Sequence, residues 1–151
     1  MKIEVQESEN TLTIIPNKMF LDNIAAEDRK RWSDALLSGK YNQGLGTLKI
    51  IDGDGICHCC LGVFINAVTN ESIMMTCEND GEFEKRKSFE GTIDSRAFPK
   101  AANKLGNDPN PEIGEMLDSG GEHDSFITAS ECNDDWKLTF EQIAYLIYPE
   151  R

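Results

Sequence analysis

The sequence predicts an α+β fold in which short antiparallel hairpins pack with about four helices in a single compact domain, residues 1–151. Two observations predict the strands: short runs of alternating apolar residues, and Asp-Gly turn signals between two of these runs. A third observation predicts the helices, because apolar residues recur at i, i+3 and i+4 in other segments. No linker composition and no internal repeat divides the chain, so we expect one domain.

The first elements are a hairpin and a helix. Residues 1–15 contain two alternating apolar runs on either side of a polar ESEN segment, which predicts an N-terminal arm or hairpin over 1–25 ahead of a core at 26–151. A helix is predicted over 26–37, where apolar residues share one face and Gly39 follows as a stop signal. The YNQGLG stretch that comes next is rich in turn-forming residues and predicts a loop.

The middle of the chain is expected to combine two hairpins with one buried helix. In residues 47–59, the runs TLKII and ICHC flank DGDG, whose Asp-Gly pairs supply the positive φ angles of a tight hairpin turn. A helix over 59–68 would bury the apolar stripe Leu61, Phe64, Ile65 and Val68. Residues 72–78 and 82–90 are predicted to pair as strands around an ENDG turn.

The last third of the chain predicts two helices separated by a long loop. A short helix is expected over 99–106, with a proline at its first position. Residues 107–123 predict a loop with one short turn at 112–117. The final helix begins at Thr139, which forms a capping box with Gln142.

The chain is acidic, with 27 Asp and Glu against 15 Lys and Arg and a formal net charge of −12. Residues 1–50 hold 7 basic and 7 acidic side chains, residues 51–100 hold 5 and 9, and residues 101–151 hold 3 and 11. This sign argues against direct nucleic-acid binding and permits an acidic face that competes with nucleic acid for a basic partner. The alternative is that the charge serves solubility alone. No apolar run approaches the roughly 18–20 residues of a membrane span, and the N-terminus lacks the apolar region of a secretory signal, so a cytoplasmic protein without membrane contact is expected.

The stretch ICHCCLGV, residues 56–63, raises the question of a metal or redox site. Its weak metal candidates are Cys57, His58 and Cys60, but a structural zinc site usually takes two Cys pairs. The chain offers only single further ligands, at Cys77, His123 and Cys132. A thioredoxin-type centre would need a βαβ pattern that is not seen. We therefore expect no metal and no cofactor, and interpret these thiols as small apolar groups where a strand enters a buried helix.

No residue is assigned a catalytic role. His58 and His123 are the two histidines, and neither a nucleophile elbow nor a phosphate-binding loop occurs. His123 lies in GGEHDSF beside two acidic side chains. That cluster could act as the acid and base of a small hydrolase, or it could be a solvated loop.

A small-ligand pocket is a further hypothesis. Tyr41 can stack on a base, Gln43 can hydrogen-bond the edge of the base, and Lys40 with glycine N–H groups can hold phosphate. The N-terminus of the helix near Cys60 could add donors for an anion. The predicted ligand-binding residues are Trp32, Lys40, Tyr41, Gln43, Cys60 and Arg96. The alternative is a plain connecting loop with scattered basic side chains.

The motifs together resemble a widespread family of small proteins encoded by phages and prophages, mostly without an assigned function. That family carries a pattern like W-x-x-A-L-x-S-G-x-Y-x-Q-x-x-G-x-L, then C-C-L-G-V, and ends with N-D…F-x-x-I-A-x-x-I. The matching positions are Trp32, Ala35, Leu36, Ser38, Gly39, Tyr41, Gln43, Gly46, Leu48, Cys59 to Val63, Asn133, Asp134, Phe140, Ile143, Ala144 and Ile147. The resemblance covers most of residues 30–148 and leaves out the N-terminal arm.

The resemblance implies a phage accessory protein that counters a host defence in the cytoplasm of the infected cell. The pocket residues favour a non-catalytic protein that binds and sequesters a small nucleotide signal. The C-terminal acidity favours the alternative, an inhibitor that blocks a basic surface of a host defence protein. A small hydrolase is a third alternative. The sequence leaves open whether the chain forms a homo-oligomer.

Overall fold

The computed structural model describes residues 1–52, 55–73, 76–80, 84–88 and 93–151, and within them the expected α+β architecture is present. The strands are β1 Ile3–Glu7, β2 Asn10–Pro16, β3 Asn42–Gln43, β4 Lys49–Asp52, β5 Gly55–His58, β6 Thr76–Asp80, β7 Glu84–Ser88, β8 Glu112–Leu117 and β9 His123–Thr128. The α-helices are α1 Lys18–Asn23, α2 Ala26–Leu37, α3 Cys60–Phe64, α4 Pro99–Lys104 and α5 Phe140–Ile147. Two π-helical segments are also present, at Ile65–Thr69 and Glu131–Asp135.

The first sheet is antiparallel and has the strand order β1-β2-β8-β9. Its first two strands form the expected N-terminal hairpin, with Ile3 opposite Ile14. Strand β2 then pairs with β8, and Thr13 lies opposite Leu117. The N-terminal arm is therefore half of a sheet whose other half comes from residues 112–128.

The expectation of a loop over residues 107–123 is wrong for the segment that forms β8, a central strand of the first sheet, and His123 begins its partner β9. The pairing of β8 with β9 contains two register shifts. As a result, the buried positions Ile113, Gly114 and Met116 do not follow the period of two that identifies a strand from sequence. The bulges hide the strand, and the glycine makes it resemble a turn.

The second sheet has the order β3-β5-β4-β7-β6. The hairpin expected from TLKII and ICHC is confirmed, since β4 and β5 are antiparallel with Lys49 opposite His58. The short strand β3 was expected to be loop, and it pairs in parallel with β5, Asn42 opposite Cys57. This parallel pairing brings the YNQGLG stretch against the strand that leads into α3.

The expected pair of strands in the middle of the chain is present as β6 and β7, which are antiparallel with Thr76 opposite Ser88. Two of the expected turns fall partly outside the described residues. These are the DGDG turn, through residues 53–54, and the ENDG turn, through residue 81.

Helices α2 and α5 have the positions expected from their apolar stripes. The capping box is confirmed, because Thr139 Oγ1 accepts from the Gln142 backbone N–H at 3.2 Å and Gln142 Oε1 accepts from the Thr139 N–H at 3.0 Å. The buried Arg29 guanidinium of α2 donates to both carboxylate oxygens of Glu150, at 2.8 and 2.9 Å, and this pairing lowers the pKa of Glu150. Among the described residues, every helix falls short of the length or the apolar character that a bilayer-spanning helix needs.

The helix expected over 59–68 is present, but its second half widens into the π-helical segment that ends at Asn70, in a left-handed conformation. Its approach to β4 depends on Gly62, where an added Cβ would lie 1.9 Å from the Leu48 carbonyl oxygen. The core lies between the inner face of the first sheet and helices α2, α3 and α5. Its largest fully buried side chains include Trp32 and Phe64.

Candidate functional site

A buried amide connects three of the motifs quoted from the sequence. Asn133 is fully buried, and its Oδ1 accepts from Gln43 Nε2 at 2.9 Å and from the Cys60 backbone N–H at 3.3 Å. Its Nδ2 donates to the Gly44 carbonyl at 2.8 Å and to Asp134 Oδ1 at 2.7 Å. We call these five residues the Asn133 junction. All four hydrogen-bonding positions of the amide are filled, so the junction is satisfied without a ligand.

Two more contacts extend the Asn133 junction. Gln43 Nε2 also donates to the Leu138 carbonyl at 2.8 Å, and the Gly46 backbone N–H donates to Asp134 Oδ1 at 3.0 Å. On the other side of α3, Trp32 Nε1 donates to the Cys60 carbonyl at 2.8 Å. The junction therefore holds α2, α3, the YNQGLG stretch and the π-helical segment at 131–135 together.

Of the six residues predicted to bind a ligand, the structure brings Trp32, Gln43 and Cys60 together at this junction. Trp32 and Cys60 are fully buried, and the Cys60 thiol donates to the Ala129 carbonyl at 3.4 Å. The cleft beside them, lined in part by Gly46, has a volume of about 130 Å³. Ligand pockets typically measure about 300–1,000 Å³, so this cleft has room for a small group but not for a nucleotide.

The other three predicted residues lie outside the junction. Lys40 is exposed. Tyr41 is half-buried, its hydroxyl donates to Asn66 Oδ1 at 2.5 Å, and burial raises its pKa. Arg96 is exposed in the turn before α4, where its backbone N–H donates to Asp94 Oδ1 at 2.9 Å. A ligand-binding role for the six residues stays a prediction.

His58 is a buried histidine at the end of β5, and the edge of its ring meets the Tyr41 ring with centroids 5.1 Å apart. Its Nε2 has no hydrogen-bond partner. Burial, with a smaller contribution from the charge of Lys49, lowers the pKa of His58 to about 4. The imidazole is therefore neutral near pH 7.

The three cysteines of ICHCCLGV are free thiols, and burial disfavours the thiolate form of Cys59 and Cys60. Burial raises the pKa of Cys59 to about 11 and that of Cys60 well above its usual value. Among the described side chains, no three of His, Cys, Asp and Glu come close enough together to hold a metal ion. The expectation that the weak candidates Cys57, His58 and Cys60 bind no metal stays a prediction. The side chain of Cys77, another single candidate ligand, lies outside the described part of the chain.

His123 stands on an exposed sheet surface and not in a loop. Its Nδ1 lies 3.0 Å from Glu115 Oε1, and its ring lies against Phe126 with centroids 4.5 Å apart. These are a carboxylate and an apolar ring on an open surface. Both side chains of the pair, His123 and Glu115, are accessible to solvent, and a role of His123 in a small hydrolase stays a prediction.

The side chains of the first sheet that point away from the core form a surface that we call the outer face. Pairing registers place Thr13 beside Leu117 and Ile15 beside Glu115, which in turn lies beside Phe126. All five are partly or fully exposed, and Phe126 exposes 39% of its surface. Sequence analysis missed this surface because it missed β8, although Phe126 within an acidic stretch was a visible signal.

The part of the outer face that comes from β8 and β9 lies within the most acidic part of the chain, residues 105–136, which we call the acidic segment. It contains no Lys or Arg and nine acidic residues: Asp108, Glu112, Glu115, Asp118, Glu122, Asp124, Glu131, Asp134 and Asp135. Lys and Arg make seven ion pairs among the described side chains, and none of them involves a residue of the acidic segment. The negative charge of this segment is therefore not neutralised by basic side chains of the described part of the chain.

Comparison with protein families gives one match. Residues 24–150 match the model of the family described as Domain of unknown function (DUF8296). No curated protein and no solved structure matches the chain. The match leaves out β1, β2 and α1 and covers all elements from α2 to α5.

Removal of the Asn133 amide is expected to destabilise the fold strongly. Asn133→Ala leaves the Cys60 N–H and the Gly44 carbonyl buried without their partner, so we expect a loss of about 3–5 kcal/mol in the free energy of unfolding. The matched control is Asn66→Ala, which removes an exposed amide that bonds Tyr41 and should cost less than about 1 kcal/mol. Urea unfolding followed by circular dichroism measures both values. Equal losses would contradict the central role of the junction.

The pKa of His58 predicts an acid-dependent loss of stability. The unfolded chain takes up a proton at the usual pKa near 6.5, whereas the folded chain resists protonation until about pH 4, so stability falls as the pH drops through this window. In His58→Phe that part of the loss should disappear. Both proteins should also carry His123→Gln, which leaves His58 as the one histidine of the parent. The measurement is the free energy of unfolding from pH 7 to pH 4. If it falls by the same amount in both proteins over this range, the assignment to His58 is refuted.

Proposed function

Since the chain belongs to the DUF8296 family, a domain of unknown function, relatives assign it no activity, and we propose from its own surface that it is a non-catalytic inhibitor. In this proposal it is a phage accessory protein whose acidic segment covers a basic, nucleic-acid-binding surface of a host defence protein. The observation that carries the proposal has two parts. Residues 105–136 contain no Lys or Arg, and no basic side chain in the described part of the chain forms an ion pair with a carboxylate of this segment.

Internal pairing supports this interpretation because it separates two kinds of acidic residue. Carboxylates on the helices, such as Asp28 and Asp34, are held by Lys104 and by Lys30. Among the described side chains, no Lys or Arg pairs with a carboxylate of the acidic segment, so the field of these carboxylates extends into solvent. An unneutralised surface of one sign attracts a partner of the opposite sign, and increases its association rate at low salt.

The composition of the outer face supports a protein partner. The face places the apolar side chains Ile15, Leu117 and Phe126 next to Glu115. Mixed apolar and charged surfaces are typical of protein–protein contacts, in which apolar groups supply affinity and charges supply orientation. A nucleic acid would be repelled by the same surface.

The proposal predicts that reversal of charge in the acidic segment, on and beside the outer face, abolishes binding. A protein captured from host lysate at about 0.05 M salt should be released at about 0.5 M salt, and also by a DNA duplex that competes for its basic surface. The variant Glu115→Lys, Glu122→Lys, Asp124→Lys should lose the captured protein. The control variant Glu9→Lys, Glu27→Lys, Glu141→Lys changes the net charge equally outside the acidic segment and should retain it. Retention by the first variant, or binding that is insensitive to salt, would reject the proposal.

Nucleotide sequestration is a second proposal, and Tyr41 is the observation that favours it. Its partly exposed ring lies against the buried His58, whose Nε2 has no partner, and the exposed Lys40 precedes it in the chain. A base could stack on the tyrosine while the lysine holds a phosphate. Isothermal titration with cyclic and ADP-ribose-type nucleotides should then give heat in the parent and none in Tyr41→Ala. Absence of heat with every nucleotide in the parent would reject it.

A further inference from the structure

A surface cleft of about 450 Å³ lies between α1 and the segment 105–112. Its floor is apolar and buried, formed by Phe20, Ile24, Leu105 and Pro111. Two exposed carboxylates, Asp108 and Glu112, stand on its lining, which contains no basic side chain. The volume lies in the range of about 300–1,000 Å³ that ligand pockets occupy.

The carboxylates of this cleft lack a basic partner although lysines are close in sequence. Lys18 of α1 is paired with Asp22 at 2.5 Å, and Lys104 is paired with Asp28 at 2.9 Å. Neither Asp108 nor Glu112 takes part in an ion pair among the described side chains. The cleft thus combines an apolar floor with negative charge that is available to an external cation.

The walls of the cleft are fixed by the side chain of Asn17, which is buried. Its Oδ1 accepts from the Met19 backbone N–H at 3.1 Å and caps α1, while its Nδ2 donates to the Glu112 carbonyl at 2.8 Å. The Asn17 backbone N–H adds a bond of 3.1 Å to the Ile113 carbonyl. Because these bonds hold α1 against the start of β8, the cleft is formed before a partner arrives, which lowers the entropic cost of binding.

We propose that this cleft receives one arginine side chain of the basic partner. The aliphatic part of an arginine would lie on Phe20 and Leu105, and its guanidinium would pair with Asp108 and Glu112. Arginine fits better than lysine because the planar, weakly hydrated guanidinium donates to two carboxylates at once and packs well on apolar and aromatic surfaces. The inference rests on the proposed function, since Asp108 and Glu112 belong to the acidic segment, and it adds a specific anchor to a general attraction.

The test is nuclear magnetic resonance titration of the ¹⁵N-labelled full chain with N-acetyl-arginine amide. We expect amide shifts at Asn23, Gly106 and Glu112, with at least about tenfold weaker binding of the uncharged isostere N-acetyl-citrulline amide. Asp108→Asn with Glu112→Gln should reduce the affinity for the arginine compound to the level of the citrulline compound. Glu9→Gln with Glu141→Gln, equal in charge change but absent from the lining of the cleft, should leave the affinity unchanged.

Three results would overturn the inference: equal binding of the citrulline compound, shifts that map elsewhere, or unchanged affinity in the cleft variant. Failure here is distinguishable from failure of the proposed function. If the arginine compound does not bind the cleft while charge reversal on the outer face still releases the captured protein, the inhibitor proposal stands without this anchor. If the compound binds but charge reversal has no effect on capture, the cleft is an arginine site and the outer face is not the inhibitory surface.

Discussion

The structure depends on one buried amide, that of Asn133, whose four hydrogen bonds hold a loop, a helix start and a neighbouring carboxylate in fixed positions. An amide in this position is specific because each donor and acceptor must find its match, whereas apolar packing tolerates many alternatives. Asn133 bonds the YNQGLG stretch through Gln43 and Gly44, and it bonds the start of α3 through the Cys60 N–H. Gly62 of α3 packs closely against the Leu48 carbonyl and so holds the same helix next to the residue that precedes β4.

This arrangement changes how the motifs should be interpreted. Trp32, Gln43 and Cys60 carry the polar and aromatic groups that a ligand pocket would use, but these groups form hydrogen bonds within the fold. The carboxylates that have no Lys or Arg partner among the described side chains lie elsewhere, on the outer face and in the acidic segment. A surface that keeps its carboxylates unpaired retains the electrostatic energy that a partner with opposite charge can use. In the proposed function, interaction and architecture therefore belong to different parts of the chain.

Sequence reasoning recovered the elements whose signals are local. Helices α2 and α5 follow from their apolar stripes, and the capping box at Thr139 fixed the start of α5 to the residue. Strand β8 was missed because its bulges break the alternation on which strand prediction relies. Asn133 was quoted as part of a motif, but no local pattern reveals that three of its four partners lie 73 to 90 positions away. Long-range polar contacts of this kind become visible only when the fold is known.

The pairing of β2 with β8 joins residues 13–16 to residues 114–117, so the N-terminal hairpin and the last third of the chain share one sheet. Yet the segment that defines the family begins only at residue 24, after both strands of the N-terminal hairpin. A protein cut to the family segment would present β8 as a bare edge, and Met116 would lose its pairing with Ile14. Unprotected edges of this kind recruit strands from other molecules. In the chain with its N-terminal hairpin, β2 covers β8 and the outermost strand is β1, whose exposed Glu4 and Glu7 oppose the addition of a further strand.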